Sequence, residues 1–163
     1  MSDIILMQNK SSWDTIADDW FGTTALPTYG CLMPNEEELN LFGEVRGKRI
    51  LDIGCGSGHS LKYIGDKGAD ELWGLDISTR QIENATKFLK ECGYSANLHN
   101  SPMELNQGLP NNYFDVVYSI YAIGWTMDIQ KTFNLIASYL KKDGIFIFSW
   151  DHPIMHCIDV YEN

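Results

Sequence analysis

Apolar and polar positions follow two alternating periods along this chain, and the alternation predicts strands and helices in turn. Short continuous apolar runs, typical of strands buried on both faces, occur at 49–53, 71–76, 96–99, 114–119 and 145–150. Between these runs, apolar residues recur with a period near 3.6, which indicates helices. Ser78 and Asp128 stand where short polar side chains cap a helix start. Strands that alternate with helices predict an α/β fold with a parallel sheet and right-handed crossovers.

Two further helices are predicted before the first strand. Trp13 and Trp20 fall on one apolar face of a helix that we expect to start at Ser11 or the serine that follows it. Packing of this face against the core is its simplest interpretation. Asn35 and Glu38 have the spacing of a capping box, which predicts a second helix start.

A glycine-rich turn follows the first strand and is the most informative stretch of the chain. Gly54, Gly56 and Gly58 alternate with other residues, and His59 occupies the sixth place of a G-x-G-x-x-G fingerprint. Such a strand–turn–helix unit can cradle a nucleotide-like ligand, although the same pattern also serves as plain turn chemistry or a phosphate loop. Asp52, two residues before the first glycine, would repel a pyrophosphate and favour a cationic ligand.

At these residues the chain resembles the class I S-adenosylmethionine-dependent methyltransferases, in particular their small-molecule type. Asp52 and the three glycines match the first family motif, and Asp76 at the end of the second strand matches the second. Phe114 and Asp115 match the pair that opens the fourth strand. The resemblance covers roughly residues 50–150. It implies a doubly wound, mainly parallel Rossmann-like sheet in the order 3-2-1-4-5, with N-terminal helices over the ligand cleft.

The resemblance also implies where the cofactor, S-adenosylmethionine, would lie. Asp52 would favour its cationic end, Asp76 would accept hydrogen bonds from its ribose hydroxyls, and Ser101 stands where the family commonly has an acid. The expected cofactor-binding residues are Asp52, Gly54, Cys55, Gly56, Asp76, Ile77, Ser101, Pro102, Met103 and Ser119. The expected pocket for the methyl acceptor contains Tyr29, Tyr121, Trp125 and His152.

Several of these residues have simpler interpretations when they are taken singly. Asp76 can be a surface acid beside a helix cap, and Met103 can be core filler. Tyr121 and Trp125 can be packing residues. Only their convergence at the carboxyl ends of neighbouring strands, where such sheets bind ligands, supports one shared cleft.

The implied reaction is an in-line displacement that moves a methyl group from sulfonium to a small acceptor. We assign no general base, because neither His59 nor His152 has a partner that the sequence identifies. Two other classes stay open. One is a module that binds the cofactor without methyl transfer, and the other is a nicotinamide oxidoreductase, which His59 in place of glycine disfavours.

Composition indicates which classes of partner and which cellular compartment are favoured. The formal net charge is −10 and the sequence pI is about 4.6, so a nucleic-acid substrate is disfavoured, as is a membrane in the absence of a long apolar stretch. The family's nucleic-acid amino-methylating members usually carry an Asn/Asp-Pro-Pro-aromatic run, where this chain has Ser119 to Ala122. The cysteines form no C-x-x-C pair, and no signal peptide is recognisable, so we expect reduced thiols in a cytoplasm. No metal site is predicted, because Pro153 interrupts the His152–His156 spacing.

The expected domain boundaries follow from the resemblance to the methyltransferase family. We expect an N-terminal helical cap at 1–46 and a cofactor-binding domain at 47–163. Family members usually continue past the fifth strand with a helix and two more strands, whereas 13 residues follow Trp150 here. We therefore expect strands six and seven to be absent and the domain to be truncated. The apolar run 145–148 would otherwise form a bare sheet edge, so the alternative to a truncation is that something else, such as a second subunit, covers this edge.

Overall fold

A parallel sheet with helices on both faces forms the body of the protein, and the computed structural model describes residues 2–30 and 33–152. The strands are β1 (Arg49–Ile53), β2 (Glu71–Asp76), β3 (Ala96–Asn100), β4 (Phe114–Ile120) and β5 (Leu140–Ser149). The helices are α1 (Ser2–Ile16), α2 (Glu36–Leu39), α3 (His59–Asp66), α4 (Thr79–Glu91) and α5 (Ile129–Tyr139). All four strand pairings are parallel, and the order β3-β2-β1-β4-β5 confirms the predicted doubly wound topology.

The local capping signals act as predicted. Asn35 accepts a hydrogen bond from the Glu38 backbone N–H at 3.1 Å, and the Glu38 carboxylate accepts one from the Asn35 N–H at 3.0 Å. Ser78 caps α4 by accepting from the Gln81 N–H at 3.1 Å, and Asp128 caps α5 in the same way. These side chains satisfy backbone donors that a helix start leaves unpaired.

The predicted start of the first helix is wrong. Helix α1 begins at Ser2 and ends at Ile16, so Trp20 lies beyond it and not on its face. Polar contacts with α4 hold this helix in place: Asp14 accepts hydrogen bonds from the Ser78 hydroxyl at 2.7 Å and from the Arg80 N–H at 3.2 Å. Local periodicity does not reveal such long-range contacts. The boundary of the helical cap at residue 46 stays a prediction.

The last strand is also longer than its apolar run indicates. Strand β5 begins at Leu140, which pairs with Phe114, and a register shift then brings Ile145 opposite Val116. Asp143, with a φ of 65°, lies within this irregular segment. The strand therefore contains a bulge ahead of its apolar run.

Two hydrophobic cores cover the two faces of the sheet. Ile50 of β1 packs with residues of α3 and α4, whereas its neighbour Leu51 packs on the opposite face with Ile136 and Tyr139 of α5. Successive side chains of a strand point to opposite faces, so one strand supplies both cores. The sheet is thus rigidly held, and its carboxyl-end loops have a fixed frame.

Strand β5 lies at one edge of the described sheet, and part of its surface is apolar and open. Phe148 is 51% exposed and Ile145 is 39% exposed. The expectation that a second copy of the chain covers this edge stays a prediction, which sedimentation of the wild type and of a Phe148→Lys variant would test. No helix in the described part of the chain is long and apolar enough to cross a bilayer.

Candidate functional site

A cavity opens at the carboxyl ends of β1, β2 and β4, beneath α1 and the loop that follows it. Its empty volume, counted out to the open mouth, is about 990 Å³. This is the position at which doubly wound sheets bind their ligands.

The glycine turn after β1 forms the floor of the cavity. Gly54 and Gly56 have φ values of 77° and 49°, which favour glycine. A Cβ atom on Gly54 would lie 2.1 Å from the Ala122 methyl group, so the packing of Ala122 leaves no room for a side chain at this position. A Cβ atom on Gly56 would meet nothing nearer than Gln81 Oε1 at 3.9 Å. The space above Gly56 is therefore a cradle that a side chain would fill.

Asp76, at the end of β2, borders this cradle. Its Oδ2 accepts a hydrogen bond from the Gly56 N–H at 2.9 Å, and its Oδ1 accepts one from the Ser78 N–H at 2.8 Å. Burial raises the pKa of Asp76 to about 6, against the lowering effect of these two bonds. Each carboxylate oxygen has a second lone pair, so the group can accept two more hydrogen bonds.

Asp52 lies deeper, in register with Tyr118 of the neighbouring strand β4. Its side chain is 2% exposed. Burial raises the pKa of Asp52 well above its usual range, the Tyr118 hydroxyl opposes the rise, and the charge of Asp76 adds to it. The buried carboxyl thus favours its protonated form, and a cation in the cavity would shift it back toward the carboxylate.

The wall opposite the glycine turn follows β3. The Ser101 N–H donates to the Asp76 carbonyl at 2.9 Å, which ties the two strand ends together. Glu104 is nearly buried, and its Oε1 accepts hydrogen bonds from the Thr126 hydroxyl at 2.8 Å and from the Met127 N–H. These bonds fasten the loop after β4 to this wall.

Three tryptophans stand along the cavity, on segments far apart in the chain. The ring centroids of Trp13 and Trp20 are 5.8 Å apart and those of Trp13 and Trp125 are 5.5 Å apart, with nearly perpendicular planes in both pairs. Such edge-to-face contacts are favourable and bring α1 into contact with the loop after β4.

His59, at the start of α3, also lines the cavity. Its Nδ1 lies 3.0 Å from the Ser57 hydroxyl, and its ring stacks on Phe88 at 3.9 Å. Burial, and to a smaller extent the charge of Lys62, lowers the pKa of His59. The lowered pKa favours the neutral imidazole, which is held by packing, with no carboxylate partner among its hydrogen bonds in the described structure.

The structure brings most of the sequence-predicted residues together. Those that line the cavity are Asp52, Gly54, Cys55, Gly56, Asp76, Ile77, Ser101, Pro102, Met103, Tyr121 and Trp125. Ser119 is not among the lining residues: its side chain is fully buried, and its hydroxyl donates to the Ile53 carbonyl at 2.8 Å. That its backbone carbonyl receives the ammonium group of the cofactor stays a prediction. Tyr29 is buried and is not among the lining residues, and its hydroxyl donates to Glu36 at 2.7 Å. His152 is exposed and is not among the lining residues either.

Other lining residues were not singled out from the sequence as ligand contacts. Trp13 and Trp20 were expected to pack on the core, and no local sequence signal marks Gln81, three residues after the cap Ser78, as a ligand contact. His156 of the candidate metal pair lies outside the described residues, and within them no group of three metal-ligating side chains occurs.

Comparison with known proteins shows which family has this fold and site. A family model described as "Methyltransferase domain" matches residues 51–148. The chain belongs to the methyltransferase domain family. It is 34% identical over 122 residues to a Haemophilus influenzae protein without an assigned function, covering 73% of this chain and 48% of that protein. It is 31% identical over 127 residues to a sterol 24-C-methyltransferase of Aspergillus fumigatus, covering 76% of this chain and 34% of that enzyme.

A solved structure agrees with this assignment. The S-adenosylmethionine-dependent methyltransferase of Mesorhizobium loti is 31% identical, with a TM-score of 0.61 over 68% of this chain and 50% of that one. The methyltransferase domain described here thus spans half or less of the length of these relatives. S-adenosylmethionine is the cofactor of the family.

The residues of this site fit that cofactor. The cradle above Gly56 gives room for close approach of a ligand to the backbone, and Asp76 beside it has free acceptor capacity for a ribose diol. Gln81 lines the same space, and its Oε1 is buried without a hydrogen-bond partner among the described residues. Buried polar atoms normally have a partner, so this oxygen indicates a place that a ligand completes.

Proposed function

We propose that the chain binds S-adenosylmethionine in this cavity and directs its methyl group to a small-molecule acceptor. The observation that carries the proposal is the pairing of Asp76 with the Gly56 N–H beside an unfilled cradle. This arrangement matches the shape and hydrogen-bonding needs of a nucleoside: a backbone that can be approached closely, and a carboxylate next to it.

Each proposed contact has a physical role. Asp76 accepts hydrogen bonds from the ribose hydroxyls, and Ile77 and Met103 pack on the adenine faces. Asp52 lies near the cationic end, which stabilises its ionised form. When bound, the cofactor supplies an electrophilic methyl group on a positively charged sulfur. The protein aligns an acceptor with that group and excludes water beneath α1.

A small acceptor is favoured over a nucleic acid by charge and access. The chain carries a net charge of −10, which repels phosphate backbones. Tyr121 and Trp125 line the cavity after β4 and are proposed to contact the acceptor. The thiols of Cys55 and Cys92 are free, which is compatible with the cytoplasmic location that we propose.

A module that holds the cofactor without transferring its methyl group is the second candidate. It is favoured by one observation: neither Asp52 nor His59, the deep titratable groups of the cavity, is placed as a general base. Methyl transfer to an acceptor with a free lone pair needs no base, so methyl transfer stays the first candidate.

Calorimetry with S-adenosylmethionine and with NAD, followed by detection of S-adenosylhomocysteine in the presence of candidate metabolites, tests the proposal. We expect binding of S-adenosylmethionine alone, and formation of S-adenosylhomocysteine with at least one acceptor. Binding without turnover across a broad metabolite panel would favour the non-catalytic module. Tighter binding of NAD would overturn both.

A further inference from the structure

We infer that the methyl acceptor is an amine, recognised by the tryptophans that line the cavity. The inference rests on the proposed function and names the substrate class of the same site. Its starting point is the group Trp13, Trp20 and Trp125, here called the tryptophan wall. Trp13 stands between the other two, and its plane is inclined by 79° to Trp20 and by 89° to Trp125.

The tryptophan wall is open to a ligand. Trp20 is 41% exposed and Trp125 is 48% exposed, so their rings are only partly covered by protein. The face of an indole carries negative potential and attracts cations more strongly than the rings of Tyr or Phe. Adjoining perpendicular indoles therefore form a corner that suits a compact ammonium group.

The ionisable side chains of the cavity agree with a cationic guest. Among the acids that line it, Asp52 and Asp76 are assigned to the cofactor, which leaves Glu104 for the acceptor, and no Lys or Arg occurs among the lining residues that the structure describes. The lowered pKa of His59 favours its neutral imidazole, which is packed against Phe88. A carboxylate or phosphate acceptor would find no basic side chain here, so anionic acceptors are disfavoured.

Glu104 places one acid next to the tryptophan wall. Its Oε1 accepts hydrogen bonds from Thr126 and Met127, the two residues that follow Trp125. Its Oε2 takes part in neither bond. A carboxylate fixed in this way is set to attract an ammonium group to the same corner, because the Thr126 hydroxyl and the Met127 N–H hold it in place.

Amine chemistry also matches a site without an assigned base. An amine that arrives as an ammonium ion would first release its proton to water. Its nitrogen lone pair would then attack the methyl carbon, an N–C bond would form, and the C–S bond would break with its electron pair moving to sulfur. A tertiary amine becomes a quaternary ammonium, and a primary or secondary amine loses a proton to water afterwards. Positive charge develops on nitrogen in the transition state, where the indole faces stabilise it.

The test uses the whole chain saturated with S-adenosylhomocysteine and two probes that differ in one atom. Choline carries a trimethylammonium group, and 3,3-dimethylbutan-1-ol carries the neutral carbon isostere. Ligand-observed NMR measures both affinities for the wild type, for Trp125→Leu and for Trp125→Phe. Trp73→Phe, which changes an indole stacked on His99 outside the cavity, is the matched control.

We expect choline to bind the wild type about tenfold more tightly than its isostere. The ratio of the choline affinity to the isostere affinity should fall toward one in Trp125→Leu. It should be partly kept in Trp125→Phe and unchanged in Trp73→Phe. A role of Trp125 in shape alone would weaken both probes equally and leave the ratio unmoved. A ratio near one in the wild type overturns the inference.

Turnover supplies an independent measure. With S-adenosylmethionine, N,N-dimethylphenethylamine is compared with phenethyl alcohol, phenethyl mercaptan and 3-phenylpropionate. Faster methylation of the amine supports the inference, and faster methylation of any other member contradicts it while the proposed function stands. If no member turns over, the probe ratio decides. Failure of S-adenosylhomocysteine to bind is a different result, which overturns the proposed function itself.

Discussion

Asp76 Oδ2 accepts a hydrogen bond from the Gly56 N–H at 2.9 Å, and this bond joins the end of β2 to the turn after β1. The two groups come from neighbouring strands whose carboxyl ends meet at the same sheet edge. The bond orients the carboxylate beside the cradle before any ligand arrives. Such preorganisation lowers the cost of binding, because the acceptor needs no rearrangement.

Cofactor affinity is expected to depend on pH through Asp76. Its pKa is about 6 in the folded chain against an ordinary value of 3.8, mainly because of burial, with a further rise from Asp14 and a lowering by Lys10. Stability from the protonated form is therefore present below about pH 4 and is lost as pH rises through 6. Ribose hydroxyls donate to the ionised form, so S-adenosylhomocysteine should bind about tenfold more weakly at pH 5 than at pH 7.5.

An Asp76→Asn variant is the control for this pH profile. The amide keeps the shape but cannot ionise, so affinity measured by calorimetry should be lower at pH 7.5 and nearly flat from pH 5 to 8. If the affinity of Asp76→Asn depends on pH as steeply as that of the wild type, another group, such as Asp52 or His59, causes the pH dependence.

The cradle predicts the effect of Gly56→Ala. The added methyl group meets no atom nearer than 3.9 Å in the protein, so the chain should fold at a backbone cost of about 1 kcal/mol. It fills the proposed ligand space, so cofactor affinity should fall at least about tenfold, since close backbone approach is lost.

Gly93→Ala is matched to that variant. Gly93 has a φ of 83° and open space around its Cα, so the substitution has a similar backbone cost but lies outside the cavity. Thermal unfolding should shift alike in the two variants, and calorimetry should detect a loss of affinity only in Gly56→Ala. Equal affinities would argue against a ligand at Gly56.

Helix α1 is expected to control how quickly the cofactor leaves. Asp14 anchors this helix through the Ser78 hydroxyl and the Arg80 N–H. Asp14→Ala should therefore speed S-adenosylhomocysteine dissociation several-fold in stopped-flow measurements, because the cover opens more often. Lys62→Ala, which removes a surface pair with Asp66 on α3, should leave the rate unchanged. Similar rates in Asp14→Ala and the wild type would mean that α1 does not limit release.

Tyr29 is expected to act in folding and not in acceptor binding. It donates to Glu36, a buried carboxylate that also accepts from the Leu41 and Phe42 N–H groups. Tyr29→Phe removes one of three bonds to this charge and should lower the free energy of unfolding by about 1–3 kcal/mol. Steady-state kinetics should give an unchanged KM for the acceptor. A large rise in KM with unaltered stability would restore Tyr29 to the acceptor pocket.

Local signals predicted much of the fold. The bounds of β1 and β2 agree with their apolar runs, and Asn35, Ser78 and Asp128 cap the helices that they were expected to cap. These features depend on neighbours in sequence. The extent of α1 and the bulge in β5 depend on contacts between distant segments, which a local pattern does not carry.

The residues of the site also differ in whether the sequence could predict them. Gly56 and Asp76 belong to recognisable motifs at strand ends, so their convergence could be predicted from the topology. Trp13 and Trp125 meet only because α1 crosses to the loop after β4, and Glu104 reaches that loop through side-chain hydrogen bonds. Tyr29 is an aromatic residue with a hydroxyl group, which suits a ligand pocket, but its hydroxyl donates a hydrogen bond to the buried Glu36 instead.

A crystal structure of the chain with S-adenosylhomocysteine tests the central claim most directly. We predict that the nucleoside lies above Gly56, with both ribose hydroxyls within hydrogen-bond distance of the Asp76 carboxylate. A nucleoside bound elsewhere on the chain, with the space between Gly56 and Asp76 left empty, would contradict the account.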